Sequence, residues 1–71
     1  GAARVELMGD FTDWQPVPLA ADGADWSVTL ALAPGSHHVN LRIDGGPWLV
    51  PPGLATVSDE FFGAVGLLVV E

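Results

Sequence analysis

Residues 26–43, WSVTLALAPGSHHVNLRI, contain two runs in which the side-chain character alternates, with Pro34-Gly35 between them. Every second residue from Trp26 to Leu32 is apolar, and the same period returns between His37 and Ile43. Successive side chains of a β-strand point to opposite faces, so each run predicts a half-buried strand. A Pro-Gly pair between two such runs predicts that they form a hairpin.

Shorter runs on both sides of this segment predict further strands. We expect strands at 4–8, 48–50 and 54–57, and a last one at 64–70 that is apolar on both faces. The 9 glycines and 6 prolines divide the chain into pieces too short for a periodic helix. The sequence therefore predicts an all-β sandwich of about six to seven short antiparallel strands.

The composition limits the classes of function. We expect 71 residues to form a single domain over positions 1–71. The absence of cysteine excludes disulfides and thiolate zinc sites. A net charge of −7 would repel nucleic-acid phosphates and anionic lipid headgroups, and the longest apolar run is far shorter than the roughly 20 residues that span a bilayer. We therefore expect neither nucleic-acid binding nor membrane association.

Three motifs together resemble a known family. They are VELMGDFTDW at 5–14, PGSH at 34–37, and the Asp44-Gly45 turn that precedes a tryptophan. In this order they resemble the glycogen-binding module of AMP-activated protein kinase β subunits, which belongs to carbohydrate-binding family 48 together with the early-set domains of isoamylases and branching enzymes. The resemblance covers nearly the whole chain. It implies an immunoglobulin-like β-sandwich that binds α-1,4-glucan, with the family's first strand lying before Gly1.

The resemblance also implies which residues would contact the glucan. Two stacking rings, a polar strand residue and an apolar loop residue fall on family positions: Trp14, Trp48, Asn40 and Phe62. Asn40 stands where the kinase module usually carries lysine. Ala64 and Gly66 stand where the family places a threonine and an asparagine that bond to sugar hydroxyls. These departures remove hydrogen-bonding groups from the expected site.

The tryptophans can also be assessed without the family. A sugar presents C–H groups on its ring faces and hydroxyls around its rim, so its site needs flat aromatic rings beside polar side chains. Trp14 lies in a turn-rich loop and Trp48 follows a Gly-Gly-Pro turn, both outside the alternating pattern. They are candidates for exposed stacking surfaces. The alternative is that each ring fills the core or packs against the fold to hold its loop. Trp26 is in phase with its strand, and we expect it to be buried.

A row of polar residues on the strand at 37–43 is the second candidate feature. We expect His38, Asn40 and Arg42 to share one outward sheet face, where they could hydrogen-bond to sugar hydroxyls; the alternative is an ordinary solvated face. The adjacent His37 and His38 should point to opposite faces, so we expect no metal site. No cofactor is implied either.

Two functional hypotheses remain open at this point. The first is a non-catalytic module that binds an α-glucan such as glycogen or starch. The alternative is a structural or protein-interaction sandwich that has lost the sugar and forms a homo-oligomer through an open strand edge, or pairs with another chain. Enzymatic activity is not expected: no nucleophilic triad is visible, and the paired acidic residues are expected to cap turns.

Overall fold

The computed structural model describes residues 2–71, which form short β-strands joined by turns. In chain order the elements are β1 (Val5–Gly9), a 3-10 turn (Asp10–Thr12), β2 (Val17–Pro18), β3 (Ala20–Asp22), β4 (Asp25–Ser27), β5 (Gly35–Ile43), β6 (Trp48–Leu49), β7 (Ala55–Asp59) and β8 (Gly63–Val70). The all-β prediction is confirmed. The described chain has eight strands rather than six or seven, because several pairings involve only two or three residues.

Strand β5 organises the larger sheet. The strand order is β2-β1-β5-β8-β7, with β6 also pairing with β5, and every pair is antiparallel. β5 pairs with β1 through residues 39–43 and with β8 through residues 35–39. β3 and β4 form a separate two-stranded sheet. The long alternating run at 35–43 therefore lies at the centre of the sheet.

The predicted hairpin across Pro34-Gly35 is wrong. The strand that was expected to run from Trp26 to Leu32 ends at Ser27 as β4, and residues 28–34 have no strand structure. β5 pairs with β1, β6 and β8 instead, and beyond β1 the Asp10 carboxylate accepts the His38 backbone N–H at 3.2 Å. Distant strands thus take the hydrogen-bonding positions that the local hairpin would have used. Trp26, expected to be buried, is only half-buried.

The buried apolar residues lie on both faces of the larger sheet. Directly opposed residues of an antiparallel pair share a face. The face of β5 with His38, Asn40 and Arg42, here called the His38 face, therefore also carries the buried Met8 and Val65. The opposite face, here called the Val39 face, carries the buried Val5, Val39 and Gly66. Both faces of the larger sheet are therefore partly covered.

Candidate functional site

The loop after β1 holds Trp14 in a defined position. A Cβ on Gly9 would lie 2.5 Å from the Phe11 ring and 2.5 Å from the His38 carbonyl oxygen, so only glycine fits there. The Gly9 carbonyl accepts hydrogen bonds from the Trp14 backbone N–H at 2.9 Å and from the Thr12 hydroxyl at 3.0 Å. The sequence GDFTDW therefore forms a tight turn that fixes the Trp14 backbone.

The Trp14 indole is stacked on Phe62. Their ring centroids are 4.2 Å apart and the ring planes differ by 26°. Trp14 is half-buried, whereas Phe62 is 41% exposed. One face of the indole is covered by another aromatic ring, so the predicted single stacking surface is a two-ring stack. The structure therefore brings Trp14 and Phe62, two of the predicted site residues, into contact.

The turn between β7 and β8 carries Phe62 and is held by Asp59. The Asp59 Oδ1 atom accepts the backbone N–H of Phe61 at 2.8 Å and that of Phe62 at 3.1 Å. Gly63 closes this three-residue loop with a φ of +71°, a conformation that favours glycine. The Asp59 Oδ2 atom bonds to His38 Nδ1 at 2.8 Å. The turn is therefore tied to the central strand.

These contacts lower the pKa of the Asp59 carboxyl below its ordinary value. The hydrogen bond from His38 is the largest cause, followed by the Phe61 backbone N–H. Partial burial opposes the shift, and the Phe62 backbone N–H adds to it. All the hydrogen bonds favour the ionised form because a carboxylate is a better acceptor than a carboxylic acid.

We expect the Asp59 contacts to be lost in acid. Because the folded-state pKa of Asp59 is depressed, its stabilising contribution is present above the unfolded-state pKa of about 4 and disappears as the pH falls through the lower folded-state value. Thermal unfolding followed by circular dichroism between about pH 2 and pH 6, which spans the titration of a carboxyl with a lowered pKa, should show a larger loss of Tm for the wild type than for Asp59→Asn. Parallel pH profiles of the two proteins would contradict this.

A second aromatic cluster lies further along β5. The Arg42 guanidinium carbon is 4.5 Å from the centroid of the Trp48 ring, within the range of a cation–π interaction. Arg42 also donates to the Glu6 carboxylate, from Nη2 at 3.0 Å and from Nε at 3.2 Å. Cross-strand pairing of Arg42 with Glu6 and with Trp48 places all three side chains on the His38 face.

The two clusters lie along a single strand. His38, which bonds to the Phe62 turn, and Arg42, which covers Trp48, are four residues apart and thus about 13 Å apart along β5. His38, Arg42 and Trp48 share one face, as predicted for the polar row. No pocket is present among the described residues.

The Asn40 side chain is not exposed to a ligand as the sequence predicted. Its side chain lies on the His38 face but is only 3% exposed. In the amide orientation that satisfies its neighbours, the nitrogen donates to the carbonyl oxygens of Val39 at 3.1 Å and Leu49 at 3.2 Å. The prediction of an outward, solvent-facing Asn40 is therefore wrong. Alternation along a strand assigns a face, but it cannot show whether that face is covered.

Ala64 and Gly66 lie away from the polar row. Gly66 pairs with Val39, so both positions are on the Val39 face, opposite His38 and Arg42. A Cβ on Gly66 would lie 2.9 Å from Pro51 Cδ. The loop before β7 thus fills the space that a larger side chain would occupy.

Asp59 has the turn-capping role expected of the paired acidic residues, whereas Phe61 has no role in the sequence-based predictions. Asp59 holds the Phe62 turn, and Phe61 is its most exposed ring, at 82%. The signal was present: an aspartate followed after three residues by glycine, between two strand-like runs, is typical of a short hairpin loop with a side-chain cap.

The remaining polar residues have structural contacts. The Asp10 and Asp44 carboxylates accept backbone N–H groups of distant segments, from His38 for Asp10 and from Ala3 and Arg4 for Asp44, so they link parts of the chain rather than cap turns. His37 contacts Ala33 and Asp10, whereas His38 contacts Asp59. Within residues 2–71, no three His, Asp or Glu side chains form a group able to hold a metal ion. Nor does this part of the chain include a helix with the length and apolar character needed to cross a membrane.

Comparison with known families identifies the kind of protein. None of the curated proteins compared with the chain matches it. The model of one family, described as the glycogen recognition site of AMP-activated protein kinase, matches residues 1–71. This match and the antiparallel sheets confirm the early-set, immunoglobulin-like β-sandwich, and they support carbohydrate binding as the general function of a typically non-catalytic module. The chain belongs to the glycogen-recognition family of AMP-activated protein kinase.

Proposed function

We propose that this protein is a non-catalytic module that binds an α-glucan such as glycogen or starch across the His38 face. The observation that carries the proposal is the match of the whole chain to a glycogen-recognition family. The geometry supports it with two aromatic clusters, Trp14 with Phe62 and Trp48 with Arg42, which are spaced along β5 on either side of the covered Asn40. An extended polymer suits such a surface better than a small compact ligand, which needs a pocket.

The chemistry of the surface fits a sugar polymer. Aromatic rings offer apolar area to the C–H groups of the sugar faces. Hydrogen-bonding groups stand beside them: Arg42 directs Nε and Nη2 to Glu6 and has further N–H donors, and His38 uses Nδ1 for Asp59 and has a second ring nitrogen. In this proposal Arg42 and His38 contact hydroxyls, and the Trp14, Trp48 and Phe62 rings contact the sugar faces.

Asn40 has a supporting role in this proposal. Its amide holds the carbonyl of Leu49, the residue after Trp48, and so fixes β6 against β5. The orientation of Trp48 over Arg42 depends on that pairing. Asn40 therefore positions a contact residue and does not itself reach the glucan.

Titration with maltoheptaose tests the proposal. We expect saturable changes in tryptophan fluorescence and in backbone amide shifts at millimolar sugar or below, with the shifted amides on the His38 face and in the turns carrying Trp14 and Phe62. A β-1,4-linked glucose oligomer of equal length is the control, because it has the same hydroxyls in a different chain shape. Absence of any change with maltoheptaose would refute glucan binding.

A self-associating module without sugar affinity is the second candidate. It is favoured by β7, the last strand of the larger sheet, which has an unpaired edge, and by the exposed Ile43 and Leu49 on the Val39 face. Open edges and apolar surface are features through which sheets associate. Light scattering distinguishes the two: a dimer that ignores maltoheptaose supports this candidate, and a monomer at high concentration argues against it.

A further inference from the structure

Phe61 is an exposed aromatic ring without a structural role in the fold. Its side chain is 82% exposed, about twice the fraction for the neighbouring Phe62. An apolar ring left in water contributes little to folding, since burial is what makes such a side chain stabilising. Isolated exposed apolar residues are common on protein surfaces. Phe61 differs from them because its backbone is held in place.

The backbone of Phe61 is fixed by a chain of contacts that leads to the central strand. Its N–H donates to Asp59 Oδ1 at 2.8 Å, and the other carboxylate oxygen bonds to His38 at 2.8 Å. The Asp59 side chain is itself only 12% exposed. Gly63 then closes the loop in a left-handed conformation. A ring presented in this way loses less conformational entropy when a ligand binds than a ring on a free loop.

Phe61 also borders the proposed glucan surface. The next residue, Phe62, is stacked on Trp14 at 4.2 Å. Adjacent Cα atoms are about 3.8 Å apart, so the Phe61 backbone lies directly beside that of Phe62 in the β7–β8 turn. A polymer lying across that stack would continue past the tip of the β7–β8 turn, where Phe61 is the available apolar contact.

We propose that Phe61 provides an additional glucan subsite beyond the Trp14–Phe62 stack, and that Asp59 is the positioning residue that holds it there. The proposal rests on the glucan-binding function proposed above and extends it to the length of sugar recognised. A short oligosaccharide occupies the Trp14–Phe62 stack alone. A longer one also contacts Phe61, so the gain in affinity with chain length depends on this ring.

The test compares Phe61→Ala with the wild type, using the full chain and calorimetric titration with maltotriose and maltoheptaose. We expect the Kd for maltoheptaose to rise about fivefold to tenfold, from the loss of one aromatic contact, and the Kd for maltotriose to stay unchanged. The Tm should not change, since the ring is exposed. Equal binding of both sugars by the variant and the wild type would overturn the proposal while leaving glucan binding intact.

The positioning role of Asp59 is tested by a pair of variants. Asp59→Ala removes Oδ1, which accepts both turn N–H groups, whereas Asp59→Asn keeps an oxygen that can accept them. We expect Asp59→Ala to weaken maltoheptaose binding as Phe61→Ala does, and Asp59→Asn to restore it. A loss of Tm in Asp59→Ala without a change in Kd would overturn this role.

Two other outcomes are distinguishable from these. If the wild type binds no glucan, the proposed function fails and the Phe61 subsite fails with it. If Phe61→Ala converts a dimer to a monomer in light scattering without changing the Kd for maltoheptaose, Phe61 contacts a second copy of the chain, and the subsite is refuted on its own.

Discussion

Replacement of Trp14 by alanine is expected to weaken maltoheptaose binding about 30-fold. Trp14 forms one half of the aromatic stack with Phe62. Truncation of a central interface tryptophan typically costs about 2 kcal/mol or more, and each 1.4 kcal/mol is about tenfold in affinity. Removal of the indole also leaves Phe62 without its stacking partner, so both rings of the cluster are affected. Calorimetric titration measures the change directly.

Trp26→Ala is the matched control for this variant. Trp26 is also half-buried, but it lies on the separate β3–β4 sheet and is not one of the proposed contact residues. It should change the Tm more than the Kd. Circular dichroism confirms that both variants fold, and Trp14→Phe, which keeps an aromatic ring, should recover part of the affinity. A Trp14→Ala protein that folds and binds maltoheptaose like the wild type would refute the role of the stack.

Replacement of Gly66 by asparagine, the residue that the resemblance implies at this position, is expected to destabilise the protein without improving glucan affinity. A Cβ here would lie 2.9 Å from Pro51 Cδ and 3.2 Å from both Leu54 Cδ1 and the Val39 carbonyl oxygen. A proline ring and a central strand cannot move aside easily. Overpacking and a buried amide together should cost about 3 kcal/mol. For a domain of this size that lowers the Tm by roughly 12–24 °C.

Ala64→Asn is the control, because it introduces the same residue two positions away in the same strand. Ala64 is exposed and pairs with the exposed Ser58, so the new side chain can project into solvent. Its Tm should stay close to that of the wild type. If Gly66→Asn retained the wild-type Tm and tightened maltoheptaose binding, the site would extend to the Val39 face, and the placement proposed here would be wrong.

The Gly66 position changes the meaning of the departures from the family. In sequence terms, glycine in place of asparagine is only a lost hydrogen-bond donor. In the structure, Gly66 is buried and faces the Pro51 and Leu54 side chains, so the glycine allows a loop to pack against β8. The asparagine could therefore not be restored without moving that loop.

The strands with strong local patterns were predicted well. The run at 37–43 forms β5, the run at 64–70 forms β8, and residues 4–8 correspond to β1. Because side chains alternate along a strand, the sequence also placed His38, Asn40 and Arg42 on one face. The run at 26–32 has an equally clear alternation, yet it ends as a strand at Ser27. Pairing with distant strands overrode the local hairpin signal.

Composition and alternation were sufficient to establish the all-β class and the face of each β5 residue, because both depend on local backbone geometry. The tertiary structure alone showed that Asn40 is covered, that Phe62 is stacked on Trp14, and that Asp59 links the turn to His38. These contacts join residues that are far apart in the chain. Which strands meet is settled by the packing of the whole domain, and no local pattern of residues encodes it.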